Sequence, residues 1–352
     1  MGTVMIRPME EKEVPFVQEM GKRAFIGMER WMIGKPKKAL VAEVDGQLAG
    51  AVMYKLMKAG GKRIGYIDFA FVDPDRHNRG IGTTLYGAAV EYLWTQEDCD
   101  ALTALVKDDN IGSWGLFLKN GFARLSLPEL VRQFGLGGAL KQYFGVPFCL
   151  GIGMEYYVAL RGKVCPSGKR GSAGQIMAYL LANALLFLVA LASRMQHAFA
   201  FAAAYFALLL GGIAAGFVGT RFSGRNWRFR HINGGALTCA LVNLTALFPM
   251  VGNWYPAHYE KTREFRKDMG MVALSDWLFM LVMTAIAAFG GISHVVFQFA
   301  GQIGAMFLIY RMIPFYPFES YGGRRVLDWS MPVYAVMMIC SLAVVVASFL
   351  RL

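Results

Sequence analysis

The sequence predicts an α/β domain followed by an α-helical domain with several membrane spans. Two observations predict this organisation. Charged residues alternate with short apolar runs up to about Arg170, as in soluble α/β domains, whereas long uncharged apolar stretches dominate beyond it. A chain of 352 residues is also long for a single domain. We expect the soluble domain over residues 1–162, a linker over 163–174 and the membrane domain over 175–352.

The second half of the chain contains five stretches that lack Asp, Glu, Lys and Arg. They are Gln175 to Ser193, Ala198 to Thr220, Ile232 to Tyr259, Trp277 to Tyr310 and Trp329 to Leu350. A helix needs about 20 apolar residues to cross the hydrocarbon core of a bilayer. The fourth stretch is long enough to cross twice, so the sequence predicts five or six spans.

The distribution of basic residues favours five spans. With six spans, all seven basic residues between Lys261 and Arg325 lie outside the cell, against the tendency of cytoplasmic loops to carry Lys and Arg. If residues 234–251 instead enter the membrane and return on the same side, the seven basic residues all face the cytoplasm. Gly234-Gly235 and Pro249 interrupt this stretch, as expected of a re-entrant segment. We therefore expect a protein integral to the cytoplasmic membrane, with its N-terminal domain in the cytoplasm.

The charge of the chain indicates which kind of partner it binds, and its cysteines indicate the redox state of its compartment. The net charge is +12, and much of the excess basicity flanks apolar stretches, where it meets anionic lipid. The expected partner is thus the lipid bilayer and not a nucleic acid. Five cysteines are an odd number and include no Cys-x-x-Cys pair, which predicts free thiols in a reducing compartment and no metal site.

Three consecutive strands are predicted in the soluble domain. Leu40 to Val44 and Leu48 to Leu56 are separated by Asp45-Gly46, a hairpin signal. A third strand, Arg63 to Val72, follows the Gly60-Gly61 turn.

A glycine-containing loop follows the third strand and leads into a helix. Gly80 and Gly82 precede a segment whose Leu85, Ala89 and Leu93 lie on one helical face. Glycines let the backbone approach a pyrophosphate, and the first-turn N–H groups with the helix dipole stabilise its charge. This strand, loop and helix therefore predict an anion-binding site.

The segment from Tyr66 to Gly82 resembles the acetyl-CoA-binding motif of the GNAT superfamily of N-acetyltransferases. In that motif a strand ending in Val leads through a Pro-containing turn to Arg/Gln-x-x-Gly-x-Gly/Ala. Gly80 and Gly82 match it, and His77 stands at the Arg/Gln position. The resemblance implies a mixed, mostly antiparallel sheet with flanking helices, and acetyl-CoA or another acyl-CoA as co-substrate, with no metal. The residues that it assigns to cofactor binding are Val72, His77, Asn78, Arg79, Gly80, Ile81, Gly82 and Thr83.

A second motif of the same superfamily follows downstream. The strand Ala101 to Val106 precedes Asn110, a short helix through Phe117, and Gly121-Phe122 at the start of the next strand. A last strand at Met154 to Leu160 completes the expected sheet. Asn110 and Phe117 thereby join the expected cofactor residues. Many members carry a general-acid Tyr at the position of Phe117, so that role is vacant or filled elsewhere.

The reaction of this superfamily needs a base that deprotonates an amine before the amine attacks the thioester. Asp68 lies two residues from Tyr66, which places both on one face of the third strand. We predict Asp68 as the catalytic base and Tyr66 as a proton donor. The alternative for Asp68 is a structural carboxylate paired with Arg or with a backbone amide.

Two other segments bear on acceptor and membrane. Phe25, Met28 and Trp31, in the early helical region, are predicted to be core residues. Residues 127–148 form an insertion before the last strand, with basic and aromatic side chains. This insertion is either an interfacial helix lying on the membrane or a helix that caps the sheet.

The membrane domain resembles intramembrane zinc metallopeptidases of the site-2 protease type. The segments that carry the resemblance are Trp227 to Arg230 with Asn233 to Gly235, Pro249 to Pro256, and Ile313 to Trp329. Where that family carries His-Glu-x-x-His, this chain has Gly211 to Ala215, and Glu319 stands at the position of the later aspartate ligand. Two imidazoles one turn apart bind the zinc and the glutamate activates its water. The resemblance therefore implies a relative that has lost its zinc motif and is not a peptidase.

The expected function is that of a membrane-anchored N-acyltransferase that moves an acyl group from acyl-CoA to a primary amine of a membrane-associated acceptor. The alternative is an acyl-CoA-sensing regulatory or binding protein whose protease-like membrane domain is not catalytic. His77 and Phe117, which depart from the family pattern, motivate this alternative.

Overall fold

The computed structural model describes residues 4–25, 27–76, 80–165, 171–191 and 197–350. The chain forms two compact units. The first comprises Met1–Val106, Gly112–Phe148 and Glu155–Gly168, and the second comprises Lys107–Ile111, Cys149–Met154 and Lys169–Leu352. Two short segments, Lys107–Ile111 and Cys149–Met154, thus belong to the second unit although the residues on both sides of them belong to the first.

The first unit is built on a seven-stranded sheet. Its strands are β1 (Val4–Pro8), β2 (Ala39–Val44), β3 (Gln47–Ala59), β4 (Lys62–Val72), β5 (Ala101–Lys107), β6 (Ala123–Leu125) and β7 (Met154–Leu160), in the order β1-β2-β3-β4-β5-β7-β6. The pairs from β1 to β4 are antiparallel, as is β6 with β7, whereas β4 and β5 are parallel. The mixed, mostly antiparallel sheet is confirmed.

Five helices flank this sheet. They are α1 (Val14–Ala24), α2 (Met28–Met32), α3 (Ile81–Thr95), α4 (Ile111–Lys119) and α5 (Leu127–Gly145). Leu85, Ala89 and Leu93 of α3 are buried, so the predicted apolar face is confirmed. The Asp45-Gly46 turn is also confirmed, since both residues adopt the positive φ that a tight hairpin requires.

The core prediction for the early helical region is wrong for two residues. Phe25 packs against the core cluster of α1 and the sheet, as predicted. Met28 and Trp31 are instead 56% and 88% exposed. No residue of α2 is buried, and the buried apolar residue of this region is Ile33, which follows the helix.

Helix α5 packs on the hairpin formed by β3 and β4. Leu130 and Phe134 are buried, and Gly138 approaches so closely that an added Cβ would lie 2.8 Å from the backbone nitrogen of Gly60. Leu136 and Phe144, which follow the non-helical Gly135, are exposed. The buried residues of α5 therefore pack as expected of a helix that caps the sheet. Because Leu136 and Phe144 are exposed, an interfacial helix lying on the membrane stays a proposal.

The second unit is mainly helical. Its elements are α6 (Ser172–Leu191), α7 (Ala198–Thr220), β8 (Trp227–His231), α8 (Ala236–Val242), β9 (Gly252–Pro256), α9 (Arg263–Phe289), α10 (Val295–Met312), α11 (Gly323–Trp329) and α12 (Met331–Leu350). Strands β8 and β9 pair antiparallel. Helices α6, α7, α9, α10 and α12 are long and apolar enough to cross a membrane. The stretch 234–251 contains the two-turn helix α8.

Glycines allow α7 to approach α9 closely. An added Cβ at Gly212 would lie 2.5 Å from Oδ1 of Asp276, and one at Gly219 would lie 3.0 Å from the Cα of Val272. Small residues at helix contacts are typical of packing inside membranes. The glycine-rich stretch of α7 therefore has a packing role in this structure.

Candidate functional site

A bulge in β4 is the first feature of the candidate site. Met53 pairs with Phe69, but the next residue of β3, Tyr54, pairs with Ile67. Asp68 is therefore the extra residue of a β-bulge, which re-aims a side chain and bends its strand. The bulge also interrupts the alternation from which Asp68 and Tyr66 were predicted to share one face.

Beyond the bulge, β4 and β5 part from each other. Their parallel pairing runs from Ile64 with Ala101 to Ile67 with Ala104, and among the described residues it ends there. Strand β4 nevertheless continues to Val72. The carboxyl ends of the two parallel strands are thus not paired with each other, and this end of a parallel pair is a common place for ligands in α/β proteins.

The glycine loop stands next to the end of β4. Gly80 adopts a left-handed conformation with φ of 75° as the N-cap of α3, and its carbonyl oxygen accepts hydrogen bonds from the backbone of Thr83 and Thr84. An added Cβ at Gly82 would lie only 3.3 Å from Cγ2 of Val72. Val72, Gly80, Ile81, Gly82 and Thr83 are thereby brought together at the N-terminus of α3, where the backbone can bind an anion. His77, Asn78 and Arg79 lie outside the described residues.

Two basic residues near this loop, Arg76 and Arg23, have structural partners among the described residues. Arg76 donates hydrogen bonds to the carbonyl oxygen of Val44, at 3.2 Å, and to the side chain of Gln47. Arg23 of α1 pairs with Asp73 and Asp75 at 2.5 Å and 3.0 Å. The guanidinium of Arg76 is thus committed to the β2–β3 hairpin.

Asp68 and Tyr66 differ in their surroundings. The carboxylate of Asp68 is mostly buried and forms an ion pair with Lys55 of β3. Tyr66 is fully buried, and burial followed by the charge of Asp68 raises the pKa of its hydroxyl well above the ordinary value. Asp68 is therefore close enough to act on Tyr66 electrostatically. The sequence offered, as an alternative, a structural carboxylate paired with Arg or with a backbone amide. Asp68 does pair with a basic residue, but this residue is Lys55, which was not predicted.

Phe117 lies in an aromatic cluster of the first unit. Its ring centroid is 4.9 Å from that of Tyr86, 5.1 Å from that of Phe122 and 5.5 Å from that of Tyr157. The side chain is buried, as expected for a core residue.

Tyr86 is a functional candidate that the sequence did not reveal. Its hydroxyl is buried and has no hydrogen-bond partner among the residues that the structure describes. Burial raises the pKa of this hydroxyl well above its ordinary value, so it holds its proton. A buried hydroxyl without a partner requires an explanation, and a bound ligand supplies one. In the sequence, Tyr86 is only an aromatic residue beside the apolar face of α3.

Asn110 lies in the segment Lys107–Ile111, which belongs to the second unit. A buried ion network holds this segment there. Asp108 accepts a hydrogen bond from Arg325 at 2.8 Å and further ones from the hydroxyls of Tyr255 and Ser320. Lys107 pairs with Glu319 at 3.0 Å.

Asp109 is the next acid of the same segment. Burial, then the charges of Asp108 and Glu319, raise its pKa to about 7, against the opposing effect of Lys107 and Arg325.

Within the described parts of the chain, no group of three or more His, Cys, Asp or Glu is placed to hold a metal ion.

The first unit fits acetyl-CoA on three counts. The backbone of Gly80 and Gly82 lies at the start of α3 beside Val72, β4 and β5 part next to it, and the Tyr86 hydroxyl offers a buried donor. These groups match a long ligand that carries an anionic part and a polar, uncharged part.

Comparison with known proteins agrees with this fit. The sequence model of the Acetyltransferase (GNAT) family matches residues 5–122, about a third of the chain. A mycothiol acetyltransferase from Salinispora tropica is 34% identical over 88 residues, which are 25% of this chain and 29% of that protein. The chain thus matches less than a third of the length of this relative.

Solved structures also align with part of the chain. The ribosomal-protein-S18-alanine N-acetyltransferase of Escherichia coli aligns with 14% identity and a TM-score of 0.33, over 48% of this chain and 98% of that one. The N-acetylglutamate synthase of Neisseria gonorrhoeae, complexed with coenzyme A and N-acetyl-glutamate, aligns with 19% identity and a TM-score of 0.33, over 46% and 36% of the two chains. The family match thus covers the segment that carries β1 to β5, the glycine loop and α3.

Proposed function

We propose that the chain is a membrane-anchored N-acyltransferase that moves an acetyl or other acyl group from acyl-CoA to a primary amine of a membrane-associated acceptor. One observation carries this proposal. The bulged β4, its divergence from β5 and the glycine loop at the start of α3 lie together in the segment that matches the GNAT family. The same arrangement supports acyl-CoA as co-substrate, with Gly80, Ile81 and Gly82 offering backbone N–H groups to its pyrophosphate.

Asp68 acts as the base in this proposal. Its carboxylate, which pairs with Lys55, accepts the proton of the acceptor amine. The amine nitrogen then forms a bond to the acyl carbon as the bond from that carbon to sulfur breaks, and the departing sulfur takes up a proton. Tyr66 and Tyr86 are the hydroxyl groups of the first unit that we assign to this proton or to a hydrogen bond with the acyl-CoA.

The second unit anchors the enzyme in this proposal. Its five candidate spans and its basic loops support an integral protein of the cytoplasmic membrane, with the acyltransferase domain in the cytoplasm and residues 234–251 re-entrant. We assign the excess positive charge to contact with the lipid bilayer and not with a nucleic acid. We also propose that this unit derives from a site-2-protease-like domain that no longer acts as a peptidase, with Gly211 to Ala215 now part of the packing of α7.

The second candidate function is an acyl-CoA sensor without turnover. Phe117 favours this function, because a phenylalanine has no proton to give to the departing sulfur. Its ring instead packs in an aromatic cluster. The two candidates predict the same binding but different chemistry.

Replacement of Asp68 separates them. We expect Asp68→Asn to keep acetyl-CoA binding and to lower the acetyl-transfer rate by about 10²- to 10⁴-fold, the usual contribution of a general base. Asp98→Asn, the same chemical change at an exposed site, is the matched control. Both would be assayed in vesicles with soluble and lipid-borne primary amines. Wild-type binding of acetyl-CoA without transfer to any amine would favour the sensor, and full activity of Asp68→Asn would remove Asp68 from the chemistry.

A further inference from the structure

A patch of apolar side chains on α2 is exposed. Met28, Trp31 and Met32 are 56%, 88% and 43% exposed. Residues three and four positions apart lie on one face of a helix, so these three side chains form one patch. Large apolar residues clustered on a surface mark a site of interaction.

The segment that carries this patch is held firmly to the first unit. Ile33 is buried and lies 3.0 Å from the position of an added Cβ at Gly21 of α1. The side chain of Gln18 donates a hydrogen bond to the carbonyl oxygen of Ile33 at 3.1 Å. The exposure of the patch is therefore a feature of a packed segment.

Basic residues surround the patch. Arg30, Lys35 and Lys37 are exposed, and Glu29 is the one acidic residue between positions 27 and 37. Long basic side chains beside aromatic and aliphatic ones are typical of segments at a membrane interface, where the apolar groups enter the acyl boundary and the charges meet lipid phosphates. We call residues 27–37 the α2 segment.

We propose that the α2 segment docks on the surface of an anionic lipid bilayer, with Met28, Trp31 and Met32 in the interface. The inference rests on the membrane anchoring in the proposed function. The pattern of charge favours lipid over protein, because three basic groups face outward around an apolar centre and only one acid accompanies them. A tryptophan at the tip is also the side chain enriched at the membrane interface.

Tethering makes weak docking sufficient. A segment of this size binds a bilayer only marginally by itself. Helix α6, the first candidate span, begins at Ser172, and only residues 161–171 separate it from the end of β7. This short connection holds the first unit at a high effective concentration near a membrane that α6 enters. An acceptor amine at the depth of the headgroups would then be presented to the enzyme.

The test places an environment-sensitive fluorophore on Trp31→Cys in the full-length protein. Cys340→Ser serves as background, because Cys340 is exposed whereas Cys99, Cys149, Cys165 and Cys239 are buried. The same label on Gln96→Cys, an exposed position at the end of α3, is the control. The protein is reconstituted into vesicles with and without phosphatidylglycerol, and flotation verifies insertion independently of acyltransferase activity.

We expect quenchers attached to lipid acyl chains to quench the label at position 31 in anionic vesicles, and aqueous iodide to quench it less than the control. Lys35→Gln with Lys37→Gln should weaken docking, by about fivefold for each charge removed. Equal iodide quenching at positions 31 and 96 would overturn the proposal. So would protection from both quenchers, which would place the α2 segment against a protein surface. Because acetyl-CoA takes no part, failure here would leave the proposed activity untouched.

Discussion

The chemistry of the candidate site depends on a few side chains whose surroundings determine their role. Asp68 was identified as a candidate from the sequence, but its partner Lys55 and its place in a bulge were not. Strand alternation gives the face of a residue only in a regular strand, and one inserted residue cancels it. Met28 and Trp31 were misplaced for a related reason, since apolar spacing does not tell whether a face meets the core or another surface.

Tyr86 yields a prediction with two opposite effects. Tyr86→Phe removes a buried hydroxyl that has no partner in the described structure, so the ligand-free protein should become more stable. If the hydroxyl donates to the acyl-CoA, the same change should weaken acetyl-CoA binding by roughly 1 kcal/mol. Thermal unfolding and calorimetric titration measure the two effects.

Phe122→Leu is a control within the same cluster that leaves the hydroxyl in place. A Tyr86→Phe protein that is more stable and binds acetyl-CoA as well as the wild type would show that this hydroxyl does not contact the ligand.

Asp109 makes stability depend on pH. Its pKa is raised from 3.8 to about 7 in the folded protein, so the folded state holds a proton that the unfolded state has lost between these values. Stability is therefore fully present below pH 4 and falls as pH rises towards 7, with a slope of at most about 1.4 kcal/mol per pH unit. Asp109→Asn should remove this term.

The difference in unfolding temperature between wild type and Asp109→Asn, followed from pH 5 to pH 8 in detergent, isolates Asp109. His231 acts in the opposite direction, because burial lowers its pKa to about 4, but it is common to both proteins. The groups that face Asp109 are Lys107, Asp108, Glu319 and Arg325. A difference that does not grow as the pH rises would contradict the account.

At the scale of elements, hydrophobic periodicity and turn residues in the sequence predicted most strands and helices of the first unit. The hairpin of β2 and β3, the strand β4, helix α3 and the last strand at Met154 to Leu160 follow directly from the sequence. The divergence of β4 from β5 does not, because it depends on where a pairing between distant segments stops. The pairing of Lys107 with Glu319 is likewise invisible to local patterns, since 212 residues separate the two.

The contact of α7 with α9 gives a prediction at this scale. Gly219→Ala places a Cβ 2.6 Å from Oγ of Ser275 and 3.0 Å from the Cα of Val272, so backbone must move. Overpacking of this kind costs about 1 to 3 kcal/mol. Gly174→Ala in α6, where a Cβ meets nothing within 4 Å, should be neutral or stabilising because alanine favours the helix. Equal unfolding temperatures for the two variants in detergent would refute the role assigned to Gly219.

The whole molecule joins a unit that is similar to GNAT acetyltransferases to a helical unit whose part in the reaction is proposed. Composition alone separated the two halves, because a soluble sheet needs alternating polar residues and a membrane span excludes charge. The division of the structure is finer than a single boundary, since Lys107–Ile111 and Cys149–Met154 pack in the second unit. Local sequence does not show such insertions, because they depend on partners far along the chain.

Calorimetric titration of the purified full-length protein with acetyl-CoA measures directly whether the first unit binds an acyl-CoA. Gly82→Trp places an indole against Val72 at the glycine loop, whereas Gly87→Trp puts the same group on α3 where a Cβ meets nothing within 4 Å. We expect that wild type and Gly87→Trp bind acetyl-CoA and that Gly82→Trp does not. Binding that survives in Gly82→Trp, or no binding of acetyl-CoA or longer acyl-CoAs to the wild type, would contradict this expectation.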